Sequence, residues 1–170
     1  VGEGAAAIVV KPQSHVAVDR VYAKIDSLSF VQGSDATSIE KAAQKALNLA
    51  KITSNDIQQI EAHASGFSAE NKAEKIALAK LYPAKKISSV KSNIGHTFNA
   101  SGIASIIKTA LYLDDKYNTH MAISGLGKDD NACHLILSST TSKHQTAPVQ
   151  TNVKKRPELI KNIKDKKIYN

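Results

Sequence analysis

Apolar and polar positions along the first 139 residues predict short strands separated by helices. Six segments show the apolar runs or the partial alternation that is typical of strands. They are residues 5–10, 21–31, 57–63, 87–91, 121–124 and 132–138. With three helical segments between them, the order is β, β, α, β, α, β, α, β, β. This order predicts an α/β layered domain in which helices cover a sheet.

Three segments repeat apolar residues at helical spacing. The first begins at Thr37-x-x-Glu40, a capping box in which two side chains satisfy free backbone N–H groups. The second covers residues 69–82 and ends at Pro83, and the third covers residues 99–113. The residues expected to face inward are, helix by helix, Ile39, Ala42, Ala43, Ala46, Leu47 and Ala50; Ala73, Ile76, Ala77 and Leu81; and Ile103, Ile106, Ile107, Ala110 and Leu111.

The positive charge of the chain is concentrated toward its C-terminal end. The 170 residues include 23 Lys and Arg against 15 Asp and Glu, a formal net charge of +8. Residues 143–170 hold eight basic and two acidic residues, a net charge of +6. Residues 1–142 therefore carry a net charge of only +2. We therefore expect a domain over residues 1–139. Over residues 140–170 we expect a polar linker and a basic, flexible tail.

Composition excludes or disfavours several classes of protein. No apolar run approaches the roughly 18 residues of a membrane span, and no signal-peptide pattern is present. The single Cys133 excludes an intramolecular disulfide and a multi-thiolate zinc site, and it fits a reducing cytoplasm, where we expect the protein. A basic nucleic-acid-binding domain is a remote alternative. Only the tail supports it, because the body lacks interleaved Arg and aromatic residues.

Polar residues occur where an α/β sheet usually presents a site, at strand ends and in the loops that follow. His63 follows one predicted strand, Lys91 and His96 follow the next, and a Gly125-x-Gly127 loop separates the last two. Imidazoles at neighbouring strand ends can donate a hydrogen bond to an oxygen that gains negative charge or move a proton near neutral pH, and a lysine beside them can orient or electrostatically tune them. Structural hydrogen bonding would also account for the histidines. No metal site is expected, since they lack carboxylate or thiolate companions at ligand spacing.

Four motifs stand out along the chain: Gly2-Glu3-Gly4-Ala5, Glu61-Ala62-His63, Lys91-Ser92-Asn93-Ile94-Gly95-His96, and Asn131-Ala132-x-His134 with Leu135-Ile136-Leu137. In this order and at about this spacing they resemble the C-terminal half of β-ketoacyl synthases, condensing enzymes of the thiolase-like fold. The resemblance covers residues 1–139. The segments 65–71 and 91–104 most resemble the ketosynthase and chain-length-factor modules of bacterial polyunsaturated fatty acid (polyketide-type) synthases.

The resemblance implies a condensation between two thioesters. In the family, a cysteine carries the acyl chain, and malonyl on the 4′-phosphopantetheine of acyl carrier protein loses carbon dioxide to form the attacking carbanion. His63 and His96 match the histidines that support decarboxylation, and Lys91 matches the lysine that sets their placement and electrostatics. No cofactor is expected to bind directly. By the same resemblance, the positions expected to contact the substrate are Ser65, Phe67, Gly125, Leu126 and Gly127.

The resemblance also implies that the nucleophile lies outside this chain. Family order places the cysteine in the N-terminal half of the domain. Cys133 falls in the last predicted strand, where we expect a buried structural thiol beside a structural His134. We therefore expect a fragment that is inactive alone. Its expected partners are the missing N-terminal half, acyl carrier protein, malonyl and acyl thioesters, and a ketosynthase-like dimer partner.

Two departures from the family pattern keep a non-catalytic role open. Ala64-Ser65-Gly66-Phe67 stands where ketosynthases usually have Gly-Thr-Gly-Thr, so two threonines expected to bind the pantetheine arm are absent. Residues 125–131 are longer and more charged than the family's Gly-Phe-Gly-Gly-Thr-Asn loop, whose amides help to form an oxyanion hole. Such changes suit a chain-length factor, a ketosynthase-like partner that shapes the acyl pocket. Retention of both histidines and the lysine favours a ketosynthase.

Overall fold

The computed structural model describes residues 1–16, 20–127 and 129–140. Its strands are β1 (Lys24–Gln32), β2 (Ile57–Glu61), β3 (Lys86–Ser88), β4 (His120–Gly127) and β5 (Asn131–Ser138). Its helices are α1 (Ala36–Ala50), α2 (Ser68–Leu81), α3 (Lys91–Ile94) and α4 (Ala100–Leu113), with 3₁₀ turns at Gln13–His15 and Ser54–Asp56. The linker and tail expected over residues 140–170 lie outside the described residues, except for Thr140.

The five strands form one mixed sheet in the order β1-β5-β4-β2-β3. Strand β5 is antiparallel to both of its neighbours, whereas β4, β2 and β3 run parallel. Since parallel strands end at the same edge of a sheet, the segments that follow β2, β3 and β4 meet there. Helices α1 and α2 pack on one face of the sheet and α4 packs on the other, which confirms the predicted α/β layered architecture.

Helix α1 packs with its predicted face against the sheet. The carboxylate of Asp35 accepts the backbone N–H of Ser38 at 3.0 Å and begins the helix at Ala36. The capping box predicted at Thr37 and Glu40 is therefore wrong, because the strongly capping Asp35 stands two positions earlier. The predicted inward residues that are at most 2% exposed are Ile39, Ala42, Ala43, Ala46 and Leu47.

Helix α2 turns a carboxylate toward the protein interior. Ile76, predicted to face inward, is 51% exposed, whereas Glu74 and Leu78 are buried. The carboxylate of Glu74 binds the loop after β2, and this contact rotates the buried stripe away from the apolar pattern. The other predicted inward residues, which do pack against the core, are Ala73, Ala77 and Leu81.

Helix α4 buries a different face from the one that its apolar pattern predicts. Its fully buried positions are Ser101, Ser105, Thr109 and Leu113. Among the predicted residues, Leu111 is 58% exposed, and the rest are half-buried. Ile106 does pack against the cluster of Leu113 and the β4–β5 side chains. The prediction of a fully buried apolar face is wrong because, within the described residues, no element covers the outer side of α4.

Three strand predictions need correction. Residues 5–10 do not form a strand, and Val9 and Val10 are 86% and 64% exposed, because no described strand pairs with them. The strand predicted at 87–91 ends at Ser88, where the chain turns into α3. The loop predicted at 125–131 is shorter, because β4 continues to Gly127 and pairs with Asn131 of β5. Among the helices of the described parts, none is long and apolar enough to cross a membrane.

Candidate functional site

His63 lies just beyond the carboxyl end of β2, in a loop held by a buried carboxylate. The backbone N–H groups of His63 and Ala64 donate to the two oxygens of Glu74, each at 2.8 Å. Ala64 has a positive φ of 43°, and the two hydrogen bonds hold it in this unfavourable conformation. Glu74 was not among the residues predicted from the sequence. A glutamate on the inward stripe of an amphipathic helix was the signal that could have found it, since a buried carboxylate needs donors.

Lys91 follows β3 and begins the short helix α3. Its ammonium donates to the backbone carbonyl of His63, and Nζ lies 3.5 Å from the Nδ1 of the same residue. The preceding turn is held by Glu61, whose carboxylate accepts the backbone N–H of Val90 and the hydroxyl of Ser88. The ends of β2 and β3 are thereby joined through both side chains and backbone.

His96 lies after α3, beyond Gly95, which has a φ of 74°. The Nδ1 of His96 accepts the backbone N–H of Phe98 at 3.0 Å. Its ring meets the ring of His63 edge to face, with centroids 5.8 Å apart and planes at 83°. The N-terminal segment packs closely here, because a Cβ on Gly2 would lie 2.0 Å from the carbonyl oxygen of Ile94. The structure therefore brings together the three chemistry-bearing residues that the sequence analysis singled out.

Both histidines are biased toward the neutral form. Burial, followed by the charge of Lys91 and the neighbouring His96, lowers the pKa of His63 to about 4. Burial and the charge of Lys91 also lower the pKa of His96. The pKa of Lys91 is itself lowered by burial, while the carboxylates of Glu74 and Glu61 oppose this shift. Near pH 7 the site therefore presents two neutral imidazoles beside a lysine flanked by carboxylates.

Hydrogen bonding fixes which imidazole nitrogen carries the proton. Nδ1 of His96 accepts from a backbone N–H, so in the neutral ring the proton is on Nε2. Nδ1 of His63 faces the Lys91 ammonium, which can only donate, so its proton is on Nε2 as well. The two rings thus offer two Nε2–H donors, an arrangement that can stabilise negative charge on an oxygen.

The backbone of the turn after His63 is hydrogen-bonded to side chains of the turn itself and of α2. Ser65 is buried, and its Oγ accepts the backbone N–H of Phe67 at 3.2 Å. Gly66, with a φ of 92°, donates its N–H to the Asn71 side chain at 3.3 Å. The Phe67 side chain is 65% exposed and is therefore available to a ligand.

The segment Gly125 to Gly127 forms the end of β4 rather than a loop. The register between β2 and β4 pairs Glu61 with Ile123, which brings Gly125 to the level of His63. A Cβ on Gly125 would lie 2.5 Å from the Sγ of Cys133, so the thiol fills this space. The structure does not bring the Leu126 side chain to the histidines, since it packs against the core cluster between α1, α2 and β5.

Cys133 and His134 lie on opposite faces of β5. Burial raises the pKa of the half-buried Cys133 thiol, which is the reverse of what activates a nucleophile. The ring of His134 is fully buried and its Nε2 is hydrogen-bonded to the hydroxyl of Tyr82 at 2.8 Å. Neither residue belongs to the cluster of His63, Lys91 and His96. No group of three or more potential metal ligands occurs in the described parts of the chain.

A cleft of about 420 Å³ opens beside this cluster, on the sheet face that carries α4. Its walls include Ala62 and Ala64, on either side of His63, and Ser92 of α3. Lys108 lies in the cleft and is an ion-pair partner of Glu61, with Nζ 2.6 Å from a carboxylate oxygen. The cleft gives solvent access to Lys108, whereas the Glu61 carboxylate is fully buried.

Residues 23–122 match the family model described as "Beta-ketoacyl synthase, C-terminal domain". A highly reducing polyketide synthase, AFT9-1 of Alternaria alternata, is 35% identical in an alignment 133 residues long that covers 68% of this chain and 4% of that protein. The chain therefore spans a small part of such relatives.

Solved structures show the same fold. The chain superposes on a structure described as "PfaC Keto synthase-Chain length factor" with a TM-score of 0.76 and 61% identity, over 79% of this chain and 15% of that one. A type II polyketide ketosynthase in complex with its acyl-carrier protein, AntDE:AntF, matches with a TM-score of 0.69 over 76% of this chain and 42% of that one. At 15% identity this second likeness shows the fold alone. The chain thus belongs to the β-ketoacyl synthase family and forms the C-terminal half of its thiolase-like domain.

Proposed function

We propose that residues 1–139 supply the two histidines of a β-ketoacyl-[acyl carrier protein] synthase site, which condenses an acyl thioester with malonyl carried by acyl carrier protein. The supporting observation is the convergence of His63 and His96, whose ring centroids are 5.8 Å apart, with Lys91 beside them. Their lowered pKa values keep both rings neutral at pH 7. The family match supports the same chemistry.

The two Nε2–H groups would bind the thioester oxygen of the malonyl group. When the malonyl carboxylate leaves as carbon dioxide, the electron pair of the broken C–C bond moves into the enolate, and its oxygen becomes negative. His63 and His96 then stabilise this charge without giving up a proton. The α-carbon of the enolate attacks the carbonyl carbon of the acyl thioester and forms the new C–C bond. The C–S bond to the cysteine breaks, and the cysteine leaves as a thiolate. The Lys91 ammonium would bind the backbone carbonyl of His63 and thereby orient the His63 ring.

The nucleophile in this proposal is a cysteine of the N-terminal half of the family's domain. Cys133 is unsuited to the role, because burial raises the pKa of its thiol and it lies on β5 against Gly125. The outer side of α4 is where we propose that the N-terminal half packs. Leu111 there is 58% exposed, and Ile103 and Ile107 are half-buried, so an apolar surface is left for another element.

The family acts with acyl carrier protein. We propose that its 4′-phosphopantetheine arm delivers malonyl past Ser65 and the exposed Phe67, and that no cofactor binds directly. A ketosynthase-like dimer partner and polyunsaturated fatty acid or polyketide products complete the proposal. A reducing compartment such as the cytoplasm suits it, because the nucleophile has to remain a free thiol.

A chain-length factor is the second candidate. Its support is the 61% identity to a structure described as a keto synthase-chain length factor, together with Ala64-Ser65-Gly66-Phe67 in the turn after β2. The residue at the family's nucleophile position separates the two candidates. A cysteine there favours the condensing enzyme, whereas glutamine or another non-nucleophile favours the chain-length factor.

The test replaces His63 or His96 by alanine in a synthase in which this chain is joined to its N-terminal half. Each variant should lose about 100- to 1,000-fold in malonyl decarboxylation and condensation, since each loses one donor to the developing oxyanion. His15, an exposed histidine of a 3₁₀ turn, provides the matched control, and His15→Ala should leave both rates unchanged. Unchanged rates in His63→Ala and His96→Ala would sink the catalytic assignment. The assignment also fails if the parent protein itself neither decarboxylates nor condenses.

A further inference from the structure

An ion pair with a fully buried carboxylate and a lysine whose side chain is 36% exposed lies beneath the site, on the sheet face that carries α4. The carboxylate of Glu61 is 0% exposed, and Lys108 donates to one of its oxygens at 2.6 Å. The hydroxyl of Ser88 donates to the same oxygen at 2.7 Å, while the other oxygen accepts the backbone N–H of Val90. Lys108 also donates to the Ser88 hydroxyl at 3.1 Å. Both oxygens of the carboxylate are therefore occupied by donors.

This pair connects the three segments that carry the candidate site. Glu61 precedes His63 by two residues at the end of β2, and Val90 immediately precedes Lys91. Lys108 lies on α4, the helix that the chain enters shortly after His96. Within the described residues, neither Glu61 nor Lys108 is hydrogen-bonded to an imidazole. Any influence of the pair on the chemistry has to pass through the backbone and through Lys91.

A contribution to folding stability does not by itself explain the presence of such an ion pair. Removing the Glu61 carboxylate from water costs about as much free energy as its attraction to the partly exposed Lys108 returns, and well-packed apolar residues of similar volume are often as stabilising. An ion pair with both oxygens occupied differs from apolar packing in its directionality, because it accepts only donors placed at defined positions. Here those donors are the turn before Lys91 and the side chain from α4.

We infer that Glu61 and Lys108 are positioning residues, which fix the relative placement of His63, Lys91 and His96 through Ser88 and the Val90 turn. The inference rests on the proposed condensing function and extends it to two residues that do not touch the substrate. Lys108 provides the positive charge that Glu61 needs in the interior, and Glu61 in turn holds the turn from which the Lys91 side chain reaches His63.

The test uses Lys108→Met and Glu61→Gln in the synthase joined to its N-terminal half. Each single variant should lower the kcat of malonyl decarboxylation about 10- to 100-fold, with KM changed less than about twofold, because small displacements of reacting groups are costly in rate. The ring ¹⁵N resonances of His63 and His96 should shift, although neither mutated side chain contacts these rings. A purely structural pair would lower the melting temperature and leave these resonances in place.

The double variant Glu61→Gln/Lys108→Met provides a rescue. It removes both charges, and the glutamine oxygen can still accept the Val90 N–H while its amide donates to Ser88. We expect it to recover the kcat lost in Lys108→Met to within about fivefold of the parent, and to regain the ring resonances, because the buried Glu61 carboxylate left without its cation is the main cause of the displacement in that single variant. Ser88→Ala is a milder variant, with a loss of severalfold, should either single variant fail to fold.

Lys80→Met is the matched control. Lys80 forms an ion pair with Glu40 at the same 2.6 Å, but its side chain is 70% exposed and the pair joins α1 to α2, away from the site. It should change neither kcat nor the resonances. Normal kcat and unshifted rings in Lys108→Met, Glu61→Gln and Ser88→Ala overturn the inference. If the parent protein is inactive, the proposed function fails, and the ring resonances still decide whether the pair positions the histidines.

Discussion

The two faces of the sheet are built on different principles. Between the sheet and α1–α2, the interior is mainly apolar, and its buried polar groups, among them Ser27, Ser29 and His134, are hydrogen-bonded within the described chain. On the α4 face, the buried set includes Glu61 with its partner Lys108, and the buried positions of α4 include Ser101, Ser105 and Thr109. Apolar side chains on this face are left exposed, Leu28 and Phe30 of β1 by 47% and 61%.

The α1–α2 face of the sheet mainly stabilises the fold, whereas the α4 face mainly positions the residues of the candidate site. An apolar interior has no directional requirements and gains free energy in proportion to the area that it buries. A buried polar network requires each donor and acceptor to be placed correctly, so it determines geometry more than it adds stability. The α4 face thus combines the support of the histidine site with the surface proposed to pack against the N-terminal half.

The largest expected contrast in stability is between a leucine on each face. Leu47 of α1 is 2% exposed, so Leu47→Ala should lower the free energy of unfolding by about 2–5 kcal/mol. Leu111 of α4 is 58% exposed, so Leu111→Ala should cost less than about 0.5 kcal/mol in this chain. Urea unfolding of the two variants measures the difference.

The effect of Leu111→Ala should be larger in a protein that also contains the N-terminal half of the domain. When the N-terminal half is present, Leu111→Ala should cost about 2 kcal/mol, because the side chain is then buried. An unchanged small cost would contradict the proposal that this surface packs against the other half.

A buried imidazole between the sheet and α1–α2 gives the next effect. Burial lowers the pKa of His134 to about 4, so the ring is neutral in the folded protein at pH values where it is protonated in the unfolded chain. Above pH 6.5 both states are neutral and nothing is lost. As pH falls from 6.5 to 4, only the unfolded chain takes up the proton, which lowers the free energy of unfolding by up to about 3 kcal/mol.

His134→Leu removes this acid sensitivity. Unfolding measured at pH 7 and at pH 4.5 should show a smaller loss in the variant than in the parent, and His63, which titrates in the same window, contributes equally to both. Equal losses in the two proteins would show that His134 is protonated in the folded state. Tyr82→Phe serves as the control, since it removes the hydrogen bond and retains the imidazole.

A further effect concerns a contact on the α4 face. A Cβ on Gly125 would lie 2.5 Å from the Sγ of Cys133, so Gly125→Ala should cost about 1–3 kcal/mol through overpacking. The double variant Gly125→Ala/Cys133→Ala should recover most of this, because the thiol is gone. Gly102→Ala is the matched control in the chain: nothing lies within 4 Å, and it should be neutral or stabilising by about 0.5–1 kcal/mol. If the double variant is no more stable than Gly125→Ala, the contact with the Cys133 thiol is not the cause of the lost stability.

Much of the fold could be predicted from the sequence where the local pattern and the packing agree. The buried face of α1 follows from the spacing of Ile39 to Leu47, because that helix packs against the chain's own sheet. Helix α2 followed the pattern less well, since the need of Glu74 for backbone donors rotates its buried stripe. The apolar face of α4 was predicted correctly as apolar and wrongly as buried, because no element within the described residues covers it.

By itself, the sequence predicted the three long helices, the order of the strands from residue 21 onward and the three chemistry-bearing residues, because spacing and motif are local properties of the chain, but it wrongly predicted a strand at residues 5–10. The tertiary structure alone decided that His63 and His96 meet edge to face, that the Lys91 ammonium binds the carbonyl of His63, and that Gly125 lies in a strand. It also showed the buried carboxylates of Glu61 and Glu74, whose roles depend on partners many positions away. Such contacts depend on which strands become neighbours in the sheet, and no local pattern encodes that.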